Sequence, residues 1–215
     1  MKINILTIFP KFFTNPLETS ILKRAVGKKL IEFNILNLRD FAEGKHQSTD
    51  QRPFGGGPGM VMMIEPIDKA LDFLQVKKGD QNKKIILTSA KGSVFTQEIA
   101  RSFSHLDELT IICGHYEGVD ERVAMNLIDE EVRIGDYVLT GGEAAALVMS
   151  DAVSRLIPGV LGNEFSNQDE SHAVPGKMGH PQFTKPVDYK GWVVPEILLS
   201  GHHEKIKNWR EKKKN

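Results

Sequence analysis

The sequence predicts an α/β domain with a mostly parallel sheet over roughly residues 1–160, followed by a short helical tail. Two observations predict it. Short runs of Ile, Leu and Val recur with almost no polar alternation, the pattern of strands buried on both faces. Between them lie segments of helical spacing, so strands and helices alternate, as crossover connections between parallel strands require.

The first strand is Ile3–Phe9. Its apolar run is too short for a signal peptide, Pro10 ends it, and no small-residue cleavage site follows. Asn15-Pro16 reads as a helix start, with Asn as N-cap and Pro at the first helical position. Ile31–Leu38 is the second strand, and Pro66–Leu74 is helical. A strand at Lys84–Thr88, a helix at Thr96–Phe103 and a strand at Glu108–Cys113 follow. Gly118–Ile128 reads as a helix and Glu131–Ile134 as a strand. Glu143–Leu156 is the strongest helix former, because Ala144, Ala145, Ala146, Leu147 and Met149 lose little side-chain freedom in a helix. Residues 162–190 hold Gly, Asn, Ser, Asp, His and Pro without a period and read as a linker. Val194–Gly201 and His202–Lys214 read as two short helices broken at Ser200-Gly201. The expected domains are therefore 1–161, a linker at 162–190, and 191–215.

At 215 residues the chain can bury a core without disulfides or metal. Its 28 basic residues equal its 28 acidic ones, so a polyanionic partner must be met by a local patch. One patch lies in residues 201–215, where six basic residues face two acids. Trp209 among them is either a stacking face or the residue that docks this helix. Cys113 is the one cysteine, which excludes a disulfide within the chain and argues against a zinc site. A reducing, cytoplasmic setting is expected. No run approaches the ~18 apolar residues of a membrane span. The seven histidines lack metal-ligand spacing, and no metal is expected.

Three glycine clusters carry the chemical signal. Gly55-Gly56-Gly57-Pro58-Gly59 is not a phosphate-binding P-loop, because Met60-Val61 follows it where Lys-Ser/Thr is needed. It is not a dinucleotide fingerprint either, since Met60 occupies the third glycine's place. It remains a loop where backbone approaches another backbone or a ligand, or a plain flexible loop. Cys113–Arg122 and Ile134–Glu143 each run from a strand through a Gly-containing turn into a helix start, where α/β sheets place ligands. Glu117, Asp120 and Glu121 also suit the positive end of a helix dipole. Gly141-Gly142 is expected to leave N–H groups free for a ligand's acceptors. Together the turns predict a pocket built mainly from backbone, suited to a small, polar, aromatic-ringed ligand.

Read in order, the blocks Pro53–Met62, Gly114–Arg122, Ile134–Glu143, Asp151–Val160, Pro181–Pro186 and Val194–His203 resemble the bacterial tRNA (guanine-N1)-methyltransferases, the TrmD family of the SPOUT class. The resemblance runs nearly end to end. It implies a SPOUT-type α/β fold with a parallel sheet, knotted into a trefoil, and a small C-terminal helical domain. It implies S-adenosylmethionine as methyl donor, tRNA as substrate with a guanine just 3′ of the anticodon, and a homodimer with shared active sites. The cofactor positions it carries over are Thr88, Ser89, Gly114, Tyr116, Glu117, Ile134, Gly135, Asp136, Tyr137, Val138, Leu139, Gly141 and Gly142. Arg155 is implied as the cation facing the guanine carbonyl oxygen, with a helix-end ion pair as its alternative role.

The chain departs from the family at the general base. The family's Asp stands in a Ser-Phe-x-Asp-Gly context, whereas here the stretch is Ser171-His172-Ala173-Val174-Pro175-Gly176. Asp169, Glu170 and His172 are the nearest candidates, and the carboxylates Asp169 and Glu170 fit the family's chemistry better. His115 stands where the family usually has Arg, and Gln51 where it has a second Asp. Two rival readings stand beside the enzyme: a catalytically impaired RNA-binding relative with the same fold, and a dinucleotide-using Rossmann-like enzyme.

Overall fold

In a computed structural model, which describes residues 1–162, 170–174 and 176–214, the chain divides into two units, Met1–Gly162 and Asn163–Asn215. The first unit begins with β1 (Lys2–Thr7), buried from Ile3 onward. A 3-10 turn at Pro10–Phe13 runs into the short helix α1 (Thr14–Leu17), and α2 (Ser20–Gly27) leads to β2 (Glu32–Asn37). The helix start expected at Asn15-Pro16 is displaced, because Pro10 already presets helical φ at the head of the 3-10 turn. β3 (Asp50–Gln51) and β4 (Val61–Met62) pair antiparallel, with the Gly55–Gly59 segment between them. Then follow α3 (Ile64–Leu74), β5 (Lys83–Val94), α4 (Gln97–Phe103), β6 (Glu108–Cys113), α5 (Glu121–Asn126), β7 (Glu130–Arg133) and α6 (Glu143–Ser154).

The five longer strands form a fully parallel sheet in the order β2-β1-β6-β5-β7. The unbroken apolar runs are explained by two cores, one on each face. Ile5, Ile111 and Ile86 face Phe13, Phe103, Ala146 and Met149. Their sequence neighbours Leu6, Ile112 and Ile85 face Leu38, Ile67, Leu71 and Val123. Every residue of β6 is buried, as the central position demands. At the other end of the strands, Asn4 Nδ2 donates to Glu108 Oε1 (2.7 Å) and to Thr110 Oγ1 (3.1 Å), and Asn34 Nδ2 donates to Asn4 Oδ1 (3.0 Å). This buried network ties β1, β2 and β6 in one register, since a slip would leave each of these groups unpaired.

Two differences from the sequence reading shape the site. α5 starts at Glu121 rather than Gly118, because the Asp120 carboxylate caps it by accepting the Arg122 N–H. β5 runs six residues past Thr88, and the sequence hid this. Thr88 and Ser93 both pair with Val132, so the intervening small and polar residues bulge out of the ladder before pairing resumes. β7 lies at the sheet edge, yet α6 packs on β6 and β1. Residues 134–142 therefore cross back over the end of β5.

In the second unit, β8 (Asp188–Tyr189) and β9 (Trp192–Val193) form a hairpin, followed by α7 (Glu196–Leu199) and α8 (His203–Lys213). The helix expected from Val194 begins later because the Val194 N–H donates to the Val187 carbonyl and prolongs the hairpin. Trp209 packs its ring on Phe183 (6.3 Å between centroids), so it docks α8. No helix among the described residues is long and apolar enough to cross a membrane.

Candidate active site

Three turns meet at the carboxyl ends of β5, β6 and β7 and enclose a cleft of about 430 Å³. Its walls are the bulge of β5 with Ser89 and Lys91, the turn after β6 from Gly114 to Val119, and the segment after β7 from Ile134 to Gly142. This is where an open α/β sheet offers its strand ends to a ligand. The turns hold one another through backbone. Gly142 N–H donates to the Gly114 carbonyl (2.7 Å), and Gly114 N–H donates to Thr88 Oγ1 (3.0 Å). The Thr88 hydroxyl in turn donates to the Ile112 carbonyl (3.2 Å). A Cβ at Gly142 would stand 1.8 Å from Thr88 Oγ1, so no larger residue fits where these turns cross. The N–H groups of Gly142 and Gly114 are thus spent on holding the cleft together. For Gly142 this overturns the expectation of a free donor.

The Gly55–Gly59 segment behaves in two ways. At Gly59 (φ +75°) a Cβ would lie 2.5 Å from Glu117 Cγ. Beside it, Glu117 N–H donates to the Met60 carbonyl (3.0 Å) and Met62 N–H to the Gly118 carbonyl (2.9 Å). The segment's end therefore buttresses the turn that carries Glu117. Gly55, Gly56 and Gly57 have nothing within 4 Å of a Cβ among the described residues, and Phe54 beside them is fully exposed.

Behind the wall residue His115 lies a buried polar pair, Thr7 and Glu143. Glu143, at the start of α6, accepts a hydrogen bond from the Thr7 hydroxyl at Oε1 (2.8 Å). Its Oε2 lies 3.9 Å from His115 Nδ1, which has no hydrogen-bond partner among the described residues. Phe9 (5.1 Å) and Tyr116 (4.9 Å) meet the His115 ring edge to face. Beneath, burial and then the Glu143 carboxylate push the Cys113 thiol well above its ordinary range, so it stays protonated and is no nucleophile. Burial, then Asp50, likewise pushes the Tyr116 phenol up. At the mouth, Lys91 pairs with Glu121 (2.6 Å). The Arg122 guanidinium holds the Asp120 carboxyl below its usual value. Among the described residues no cluster of His, Cys, Asp and Glu could hold a metal ion.

Strand order bears on what such a cleft serves. Two adjacent mononucleotide-binding halves would not place β6 between β1 and β5, so the dinucleotide reading loses its scaffold. The whole chain, residues 1–215, matches the family model described as tRNA (Guanine-1)-methyltransferase TrmD. The chain belongs to this family. A protein of Desulforamulus reducens named tRNA (guanine-N(1)-)-methyltransferase is 49% identical over 212 residues, 99% of this chain and 83% of the relative. Proteins of the same name from Ruminiclostridium cellulolyticum (50% over 211 residues, 98% and 89%) and Carboxydothermus hydrogenoformans (50% over 212 residues, 99% and 82%) are equally similar.

For this methyltransferase family the placement of the expected residues is uneven. Thr88, Ser89, Gly114, Tyr116, Glu117, Ile134, Gly135, Tyr137, Val138, Leu139, Gly141 and Gly142 line the cleft. Asp136 does not: its side chain is 84% exposed and accepts a hydrogen bond from Arg133 Nε (2.8 Å). Arg155 is the C-cap of α6 and is not part of the cleft wall. Glu170 lies in the second unit, and Asp169 lies outside the described residues. His172 is exposed with a positive φ of 65°. Sequence reading passed over Lys91, Arg133 and Glu131, which also line the cleft. Lys91 follows no pattern because it sits on the bulge, whereas His115 lay inside the second glycine cluster and could have been taken from it.

Proposed function

We propose that this protein is an S-adenosylmethionine-dependent tRNA (guanine-N1)-methyltransferase acting on the guanine just 3′ of the anticodon. The observation that carries this reading is the cleft itself, closed by the contact of Gly142 with Thr88 and Gly114 and lined by the family's motif blocks. Its chemistry fits the donor. Leu87, Ile134, Val138 and Leu139 offer apolar walls for an adenine, and Glu117 offers a carboxylate to the donor's cationic groups, whereas Glu121 and Glu131 are paired with Lys91. Bound there, S-adenosylmethionine supplies an electrophilic methyl group on its sulfonium.

The remaining work falls to the chain. Residues 134–142 and the Gly114 turn orient the donor for in-line attack by guanine N1. Asp169 or Glu170 takes the N1 proton as general base. Arg155 stabilises the negative charge that grows on the guanine carbonyl oxygen. The protein works in the cytoplasm as a homodimer, with the cleft of one chain completed by the other. Because Arg155 stands outside its own chain's cleft wall, the shared arrangement gives it a route to the reacting base. The return of residues 134–142 across the end of β5 supports the trefoil knot that this reading implies.

Transfer of a labelled methyl group from S-adenosylmethionine to an unmodified tRNA transcript tests this reading. The transcript with guanine 3′ of the anticodon is expected to gain label, and the one with adenine there to gain none. Absence of transfer with intact donor and tRNA binding would instead favour the impaired RNA-binding relative.

The basic helix α8 supplies phosphate contacts in this proposal. Removing residues 206–215 is expected to weaken tRNA binding and flatten its salt dependence. Because that deletion also removes the Trp209–Phe183 contact, changing Lys207, Lys212 and Lys213 to Gln is the cleaner variant. Titration at several salt concentrations should show the slope of log K against log salt falling by roughly 3.

A further inference from the structure

We propose that the β8–β9 hairpin is a base-stacking platform for the RNA, a contact separate from the lysines of α8. The inference rests on the tRNA reading above and adds a surface to it. Tyr189 and Trp192 are direct cross-strand partners, with ring centroids 6.0 Å apart. Cross-strand aromatic pairs of this kind ordinarily help bury one face of a sheet. Here Trp192 is 74% exposed and Tyr189 52% exposed, so the rings serve no core. The pair also steadies a hairpin of two strands of two residues each, yet that contact leaves most of the Trp192 face open to a ligand.

The turn holds the rings and a cation in fixed relation. Lys190 (φ +56°) and Gly191 (φ +85°) are the two turn residues, and positive φ at both is the pattern of a tight primed hairpin turn. The Asp188 carboxylate accepts the Gly191 N–H (2.8 Å) and locks the turn. Lys190 Nζ lies over the Tyr189 ring, 5.4 Å from its centroid. A flat π-face beside an ammonium suits an unpaired base with its phosphate. Charge argues for RNA over a second protein surface: residues 185–214 carry eight lysines and arginines against four carboxylates. An anticodon loop presents unstacked bases of the kind such rings accept.

The test titrates the full chain with an unmodified tRNA transcript carrying guanine 3′ of the anticodon, at several salt concentrations. Trp192→Ala is expected to weaken binding about tenfold and leave the salt slope unchanged, because stacking releases no counterions. Trp192→Phe is expected to keep most of the affinity, and both variants to bind S-adenosylmethionine as the wild type does. Affinity within twofold of wild type for Trp192→Ala would overturn the proposal. So would a loss of affinity accompanied by a change in sedimentation, which would assign the rings to contact between copies of the chain. A wild type that methylates the transcript alongside an unaffected Trp192→Ala defeats the stacking surface alone. A wild type that neither binds nor methylates tRNA defeats the functional reading with it.

Discussion

Gly142→Ala is expected to abolish donor binding and lower stability together. The added Cβ would stand 1.8 Å from Thr88 Oγ1 and 2.9 Å from the Gly114 nitrogen. Neither neighbour can give way cheaply. The Thr88 hydroxyl is held by the Ile112 carbonyl and by the Gly114 N–H, and the Gly114 carbonyl already accepts the Gly142 N–H. Relief must come from moving the 134–142 segment away from β6, which opens the wall the donor needs. Overpacking of this kind costs about 1–3 kcal/mol. A thermal melt should therefore show a lower Tm, and calorimetry with S-adenosylmethionine no saturable heat. A variant that binds the donor normally would show that the crossing does not form the site. Thr88→Ser in the same background is the second measurement, since removing only the threonine methyl leaves the Oγ1 clash in place and should not restore binding.

The case of Gly142 also marks how far sequence could go. The two strand-to-helix turns announced a pocket because glycines at strand ends have few structural uses, and the parallel sheet was legible because strands buried on both faces cannot hide their composition. The reason for Gly142 was not legible. Sequence offered a free N–H for a ligand, and the structure gives that N–H to Gly114, a residue 28 positions earlier. The same limit hid the bulge of β5: Ser89, Ala90, Lys91 and Gly92 read as the end of a strand, and only β7 pairing on both sides of them reveals a wall of the cleft. Asp136 is outside the cleft wall, its exposed carboxylate accepting a hydrogen bond from Arg133, a contact that sequence spacing alone did not reveal.

Arg155→Ala is expected to cut turnover by about 100- to 1,000-fold, the effect of removing one donor to a developing oxyanion. Donor affinity should stay within a few-fold of wild type, because Arg155 does not line the cleft. Loss of donor affinity would instead place the side chain in the cofactor site. The same variant tests the shared active site directly. Arg155→Ala leaves a sound cleft on a chain without the cation, and Gly142→Ala leaves the cation on a chain without a sound cleft. On the proposed homodimer, neither variant alone should methylate tRNA at an appreciable rate. Refolding the two together forms mixed dimers, in which one site joins the intact cleft of one chain to Arg155 of its partner. If the sites are shared, the mixture should regain up to about a quarter of wild-type turnover, since mixed dimers are half of a random population and each has one working site. If each chain uses its own Arg155, the mixture stays inactive, because every chain then carries one lesion in its own site. Recovery therefore depends on which chain supplies the cation, and a merely structural role for Arg155 at the end of α6 could not produce it.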